Sequence, residues 1–244
     1  MFHLICGAFT SWYIVKGLTL FDVGGKRVVN VDMYKPPGIE KARKLKLVSS
    51  GLIDMIVSPY LYQVSTLFSS NHKGRMFAVF RDPIERALSI HGFQEQLFLK
   101  QNPGKTFISL EEYAKSSKIE NNWMTRFITN RLSGPLTPED LKSAKSILKS
   151  KCLIGLLDKK EESLERFNKY YGWMTLKVDP RRAEARQQCI QKNLEAAPSH
   201  RKFSSQIVEK GSSTYTLLAA QNVYDIELFF FAKELFDAQS SLFS

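Results

Sequence analysis

Apolar positions along this chain recur with two different periods, and the changes of period mark its elements. Met76–Phe80 is a five-residue apolar run, short and aromatic, and reads as a buried strand. The polar block Arg81-Asp82-Pro83-Ile84-Glu85-Arg86 follows at once. Asp82 is a good N-cap, Pro83 suits the first helical position, and Glu85 is placed to complete a capping box. The pattern therefore predicts a helix from Pro83 to about Lys100. Its one face carries Glu85, Arg86 and Ser89, and its more apolar face carries Ile84, Ala87, Leu88 and His91.

The same reading predicts the other elements. A strand or hairpin is expected over Gly24–Val31, a second strand over Leu52–Val57 and a third, buried one over Cys152–Leu157. Helices are expected over Ile39–Leu47, Tyr60–Phe68, Ser109–Lys115 behind a Ser109/Glu112 capping box, and Asn121–Asn130 with Trp123, Met124 and Phe127 inward. Another restarts at Thr137-Pro138-Glu139 on Leu141, Ala144, Ile147 and Leu148, and one from Lys159 to Tyr170 uses Leu164, Phe167 and Tyr171. The last, Asn222–Gln239, shows Tyr224, Leu228, Phe231 and Leu235 at helical spacing. Strands alternating with helices predict an α/β fold with a mainly parallel central sheet flanked by helices. The 244 residues suit one large domain over 21–244 behind an apolar segment, 1–20, of uncertain nature.

Charge narrows the partners. The formal net charge is +11, which points to a polyanion: nucleotide phosphates, an acidic glycan, nucleic acid or an anionic membrane. Arg181–Lys210 is the clearest basic segment, with seven Lys/Arg against three Glu. Phe203 is its sole aromatic residue and no nucleic-acid-binding signature accompanies it, so nucleic acid is the weaker reading. Cys6, Cys152 and Cys189 lack CxxC spacing and the four histidines are scattered, so no metal is expected. A Cys152–Cys189 disulfide, in a secretory lumen, and buried free thiols are both open. Phe2–Val15 is apolar but short for a membrane span, and a degraded anchor, a buried element and a mis-assigned start are all open for it.

At the junction of the predicted strand and helix, Arg81 leaves the carboxyl end of the strand, where open α/β sheets bind ligands. A guanidinium there and the Ser89 hydroxyl together suit a phosphate monoester. The spacing R-D-P-x-x-R-x-x-S resembles the 3′-phosphate-binding motif of sulfotransferases, which take sulfate from 3′-phosphoadenosine 5′-phosphosulfate (PAPS). The segments Gly24–Asp32, Gly38–Leu45, Ser49–Pro59, Glu120–Asn130, Lys151–Trp173 and Asn222–Gln239 are similar to consecutive blocks of the Golgi, membrane-associated carbohydrate sulfotransferases of the algal and diatom type.

That resemblance implies a P-loop-NTPase-like sulfotransferase fold and transfer of a sulfuryl group from PAPS to a carbohydrate hydroxyl. It implies no metal, a nucleotide donor, an acidic or neutral glycan acceptor, a Golgi setting, and a membrane anchor at or before the N-terminus. Arg81 and Ser89 would hold the 3′-phosphate, with Arg86 supporting the pocket. Arg126 and the Lys210-Gly211 turn are further candidates for nucleotide contact. The family's Lys/Gly/Thr-rich loop for the 5′-phosphosulfate has no match before Gly24, so an incomplete N-terminal part is expected. For the catalytic base, the matching region offers Asp54; His72 reads as a loop residue and His91 as a half-buried one. Two alternatives stand beside this reading: an incompetent or truncated relative that binds nucleotide or acidic glycan, and a general polyanion or nucleic-acid binder.

Overall fold

The computed structural model describes residues 14–15, 17–23, 26–172, 184, 188, 190–191 and 208–243. Two compact units are present. The first comprises Met1–Arg75 with Tyr171–Ala196, and the second Met76–Tyr170 with Ala197–Ser244.

In the first unit, β1 (Ile14–Val15), β2 (Leu18–Val23) and β3 (Lys26–Val29) form an antiparallel meander, with Leu20 opposite Val29 and Val23 opposite Lys26. Asn30 pins the sheet: its Oδ1 accepts from the Thr19 amide at 3.0 Å and its Nδ2 donates to the Gly17 carbonyl at 3.1 Å. α1 (Pro36–Lys44) opens with proline and lays Ile39 and Ala42 on a core shared with Leu18, Met33 and Leu47. Gly38 is required there, because a Cβ would stand 1.8 Å from the Asp32 carbonyl oxygen.

Two expectations for this unit are corrected. Leu52–Val57 is irregular rather than a strand. Leu52, Ile53 and Ile56 pack on the core from one side, and the Ser58 hydroxyl donates to the Met33 carbonyl at 2.6 Å. Apolar positions in close succession bury one side of a loop as readily as they fill a strand. The Tyr60–Phe68 helix contracts to α2 (Leu61–Ser65). The Ser65 and Thr66 hydroxyls donate to the carbonyls of Tyr62 and Gln63, which offers the backbone an alternative to continuing the helix.

In the second unit, β4 (Met76–Phe80) pairs in parallel with β5 (Cys152–Leu156), Met76 opposite Cys152 and Phe80 opposite Leu156. Between them run α3 (Pro83–Gln101), α4 (Leu110–Lys115), α5 (Trp123–Thr129) and α6 (Pro138–Lys151). α7 (Lys160–Tyr171), α8 (Ser213–Ala220) and α9 (Val223–Ala238) follow. Ile84 and Ala87 of α3 meet Leu110, Tyr113, Ala114, Ile119 and Leu218 in one core. The Gln239 carboxamide occupies part of β5's free edge, accepting from the Ile154 amide at 2.9 Å and donating to the Cys152 carbonyl at 2.8 Å.

The fold is mixed α/β. Among the described strands β4 and β5 form a small parallel sheet, and the β1–β2–β3 meander is a separate antiparallel one. The inward stripe of α9 is also rotated from the expected one: Asp225, Leu228, Phe229, Ala232 and Phe236 are buried, whereas Tyr224, Phe231 and Leu235 are partly exposed. This helix is apolar on most sides, so hydropathy alone cannot select its buried face. Cys152 is a buried free thiol, pushed up to about 12 by desolvation, whereas Cys189, Cys6 and most of 181–207, including Arg181 and Arg182, lie outside the described residues. Among the described residues no helix is long and apolar enough to cross a membrane.

The expected capping box of α4 forms, and α6 carries a second one that the sequence reading did not include. Ser109 and Glu112 close one and Thr137 and Asp140 the other. The amide of Ser109 and then its hydroxyl hold the Glu112 carboxyl below its ordinary value, and the Thr137 amide and hydroxyl do the same for Asp140. A carboxyl depressed in the folded state stabilises above its unfolded value, near pH 4, and that stabilisation is lost as pH falls through the folded value. The double variant Glu112→Gln/Asp140→Asn is therefore expected to lose less stability than the wild type in urea melts taken from about pH 6 to about pH 3. Parallel losses would show that these boxes do not contribute to the acid response.

Candidate anion-binding site at the end of strand β4

The site is built at the turn from β4 to α3. Parallel pairing continues one step past β5, where the Leu157 amide donates to the Phe80 carbonyl at 2.8 Å. Arg81 is the next residue and leaves the sheet at its carboxyl end. Asp82 then starts the helix: its Oδ1 accepts from the amides of Ile84 at 2.8 Å and Glu85 at 3.0 Å. Pro83 occupies the first turn, where the lack of an amide proton costs nothing. Strand, cap and helix thus fall where the hydropathy pattern puts them.

One detail of the cap differs from expectation. Glu85 does not close a capping box; its carboxylate lies 3.7 Å from Arg81 Nε. The neighbouring cation draws the carboxylate away from the helix end. The Arg81 side chain is only 18% exposed, and its guanidinium is shifted downward, first by desolvation and against the opposing pull of Glu85. It remains a cation at neutral pH, since arginine does not deprotonate in proteins. Glu85 and Ser89 are one turn apart on the same helix face, and Arg81 approaches Glu85 from the residue before the N-cap. Ser89 is half-buried and its hydroxyl makes no hydrogen bond among the described residues.

The two auxiliary arginines are occupied by the protein itself. Arg86 Nη2 donates to Glu120 Oε2 at 2.6 Å, and its guanidinium lies 4.2 Å from the Trp123 ring centroid. Arg126 donates from Nε to the carbonyl and side-chain oxygens of Asn121, and from Nη1 to the carbonyls of Arg131 and Gly134. It fastens the loop that leaves α5. Lys210 and Gly211 form an exposed turn before α8, with Gly211 at φ +92° and the Ser212 hydroxyl capping the helix. Asp54 belongs to the first unit, where it is exposed on the irregular loop; His72 is also an exposed loop residue there. His91 is a core histidine, its Nε2 at 2.9 Å from the Ile108 carbonyl and its ring against Phe107 and Tyr113.

Beneath Arg86 lies an arrangement that reading along the chain missed. Asp225 accepts from the amides of Met124 and Thr125 and from the Thr125 hydroxyl, each at 2.8 Å, and so caps α5 from another helix. Asn122 reciprocates: its Oδ1 accepts from the amides of Tyr224 at 2.9 Å and Asp225 at 3.1 Å, capping α9. Asn222 adds a further contact, its Oδ1 accepting from the Asn122 amide at 3.1 Å. Burial raises the Asp225 carboxyl above its ordinary value, while these bonds and Arg86 oppose the shift. Asparagine immediately before each helix was the available signal, but neither side chain caps its own helix.

Chemically, the site offers a desolvated guanidinium and an unpaired hydroxyl on one rigid strand–helix corner. A tetrahedral oxyanion with several acceptor oxygens fits that donor set. Among the described residues, no group of three His, Cys, Asp or Glu is placed to hold a metal ion. No family model, no curated protein and no solved structure matches this chain.

Proposed function

We propose that this chain is a PAPS-dependent carbohydrate sulfotransferase with a P-loop-like sulfotransferase fold, in which Arg81 and Ser89 hold the donor's 3′-phosphate. The observation that carries the reading is the corner itself. Arg81 stands at the carboxyl end of the parallel pair, immediately before a proline-started helix on whose face Ser89 follows Glu85. The motif resemblance supplies the identity of the nucleotide. Arg86 supports the corner indirectly by holding Glu120 and the Trp123 ring.

In the reaction, the acceptor hydroxyl oxygen forms a bond to sulfur while the bond from sulfur to the 5′-phosphate oxygen breaks. The acceptor proton passes to a base, and adenosine 3′,5′-bisphosphate leaves. The grip on the 3′-phosphate contributes binding and orientation, remote from the breaking bond. The resemblance also supports a Golgi setting and a glycan acceptor.

Incubating the full chain with sulfur-35-labelled PAPS and a panel of desulfated polysaccharides tests the proposal. Label transferred to glycan is expected. A second reading, nucleotide binding without turnover, is favoured by one observation: Arg86 and Arg126 are engaged by protein groups, leaving a phosphate grip without a described donor set for the sulfuryl oxygens. Binding of adenosine 3′,5′-bisphosphate with no transfer to any polysaccharide would select that second reading.

A further inference from the structure

The first unit contains a separate cationic cavity of about 250 Å³, smaller than the usual range for drug-sized ligands. Its walls come from the end of α1, the 3₁₀ turn Val48–Ser50 and the loop after α2. Arg43, Lys46 and His72 line it together with the hydroxyl residues Ser49, Thr66 and Ser69, and no lining residue is acidic. Glu40, paired with Arg43, is the nearby counter-charge.

The walls are tied in place. Arg43 Nη2 donates to Thr66 Oγ1 at 2.7 Å, joining α1 to the loop. Ser69 and His72 close a tight turn through reciprocal backbone bonds at 3.2 Å, and the His72 amide also reaches Ser69 Oγ at 3.3 Å. Ser49 Oγ donates to the Lys46 carbonyl at 3.1 Å. Lys46 has φ +54°, in the left-handed region where glycine or asparagine usually ends a helix. A lysine placed there adds a cation to the cavity at a conformational cost. Neither the Lys46 ammonium nor the His72 ring has a hydrogen-bond or ion-pair partner among the described residues.

We infer that this cavity binds a phosphate or sulfate monoester through Lys46, His72 and the free donors of Arg43. An ammonium and an imidazole without partners, beside a guanidinium already oriented by Thr66, match the compact anionic head of such an ester. The small volume suits the ester group with a single sugar ring rather than a nucleotide. This inference stands independently of the proposed transferase activity, because it uses none of the residues at the β4–α3 corner.

Titrating the isotopically labelled full chain with inorganic phosphate, glucose 6-phosphate and glucose 6-sulfate, read by amide NMR, tests it. Saturable shifts confined to the amides around 46–49 and 66–72 are expected, with at least one ester tighter than inorganic phosphate. A stronger sulfate ester assigns the source as a sulfated sugar, and a stronger phosphate ester as a sugar phosphate. Lys46→Gln and His72→Gln should each weaken that ester about fivefold, as expected for charge-assisted bonds at a partly screened surface, while Lys142→Gln in the second unit changes nothing. Absence of saturable shifts, an inorganic ion as tight as both esters, or equal affinity in both cavity variants would overturn the assignment.

Discussion

Replacing Asp225 by alanine is expected to lower the unfolding free energy by about 3–4 kcal/mol, a large fraction of the ~5–15 kcal/mol that holds a typical domain together. Asp225 is 1% exposed and takes three bonds from the first turn of α5. Alanine leaves the Met124 and Thr125 amides and the Thr125 hydroxyl as buried donors without acceptors, and an orphaned buried donor forfeits its full desolvation energy. Loss of the cap itself contributes about 0.5–2 kcal/mol of the total. Asp225→Asn keeps the shape but can present an amide donor to donors, so it should fall between alanine and wild type. Urea unfolding gives the values as midpoint shifts at constant slope.

A double-mutant cycle with Asn122→Ala sharpens the point. The two side chains cap each other's helices, so their losses should not add, with a coupling of about 1–2 kcal/mol. Additive losses would mean that the two caps act separately.

The second large effect concerns ligand affinity. Arg81→Ala is expected to weaken adenosine 3′,5′-bisphosphate about tenfold to a hundredfold, the equivalent of about 1.5–3 kcal/mol for hydrogen bonds to a charged group. Arg81→Lys keeps the charge but loses the planar fork, and should recover part of the affinity. Ser89→Ala removes a neutral donor and should cost less than Arg81→Ala. Because the Arg81 side chain is 18% exposed, thermal melts must accompany the calorimetry. Affinity lost in Arg81→Ala with an unchanged melt assigns the loss to binding, whereas unchanged affinity removes Arg81 from the site.

The parts of this molecule that were legible in its sequence are those determined within a few residues. Met76–Phe80 emerges as β4 with both ends as expected, because an apolar run, an N-cap aspartate and a proline stand side by side. The capping box of α4 and the restart of α6 at Thr137-Pro138 are equally local. Leu52–Val57 misleads because a short apolar run does not state which kind of surface it covers. The rotation of α9 and the paired caps at Asn122 and Asp225 depend on contacts made about a hundred positions away along the chain. Helix spacing sees one element at a time and cannot register such exchange. For the candidate site, the positions of Arg81 and Ser89 followed from spacing, while the engagement of Arg86 and Arg126 followed from partners that spacing does not reveal.

The central claim is that the β4–α3 corner recognises a 3′-phosphate. Calorimetry of the full chain with adenosine 3′,5′-bisphosphate and with adenosine 5′-monophosphate isolates that one group. Binding of the bisphosphate at least about tenfold tighter, with the difference abolished in Arg81→Ala, is the predicted result. Equal affinities for the two nucleotides in the wild type would contradict it.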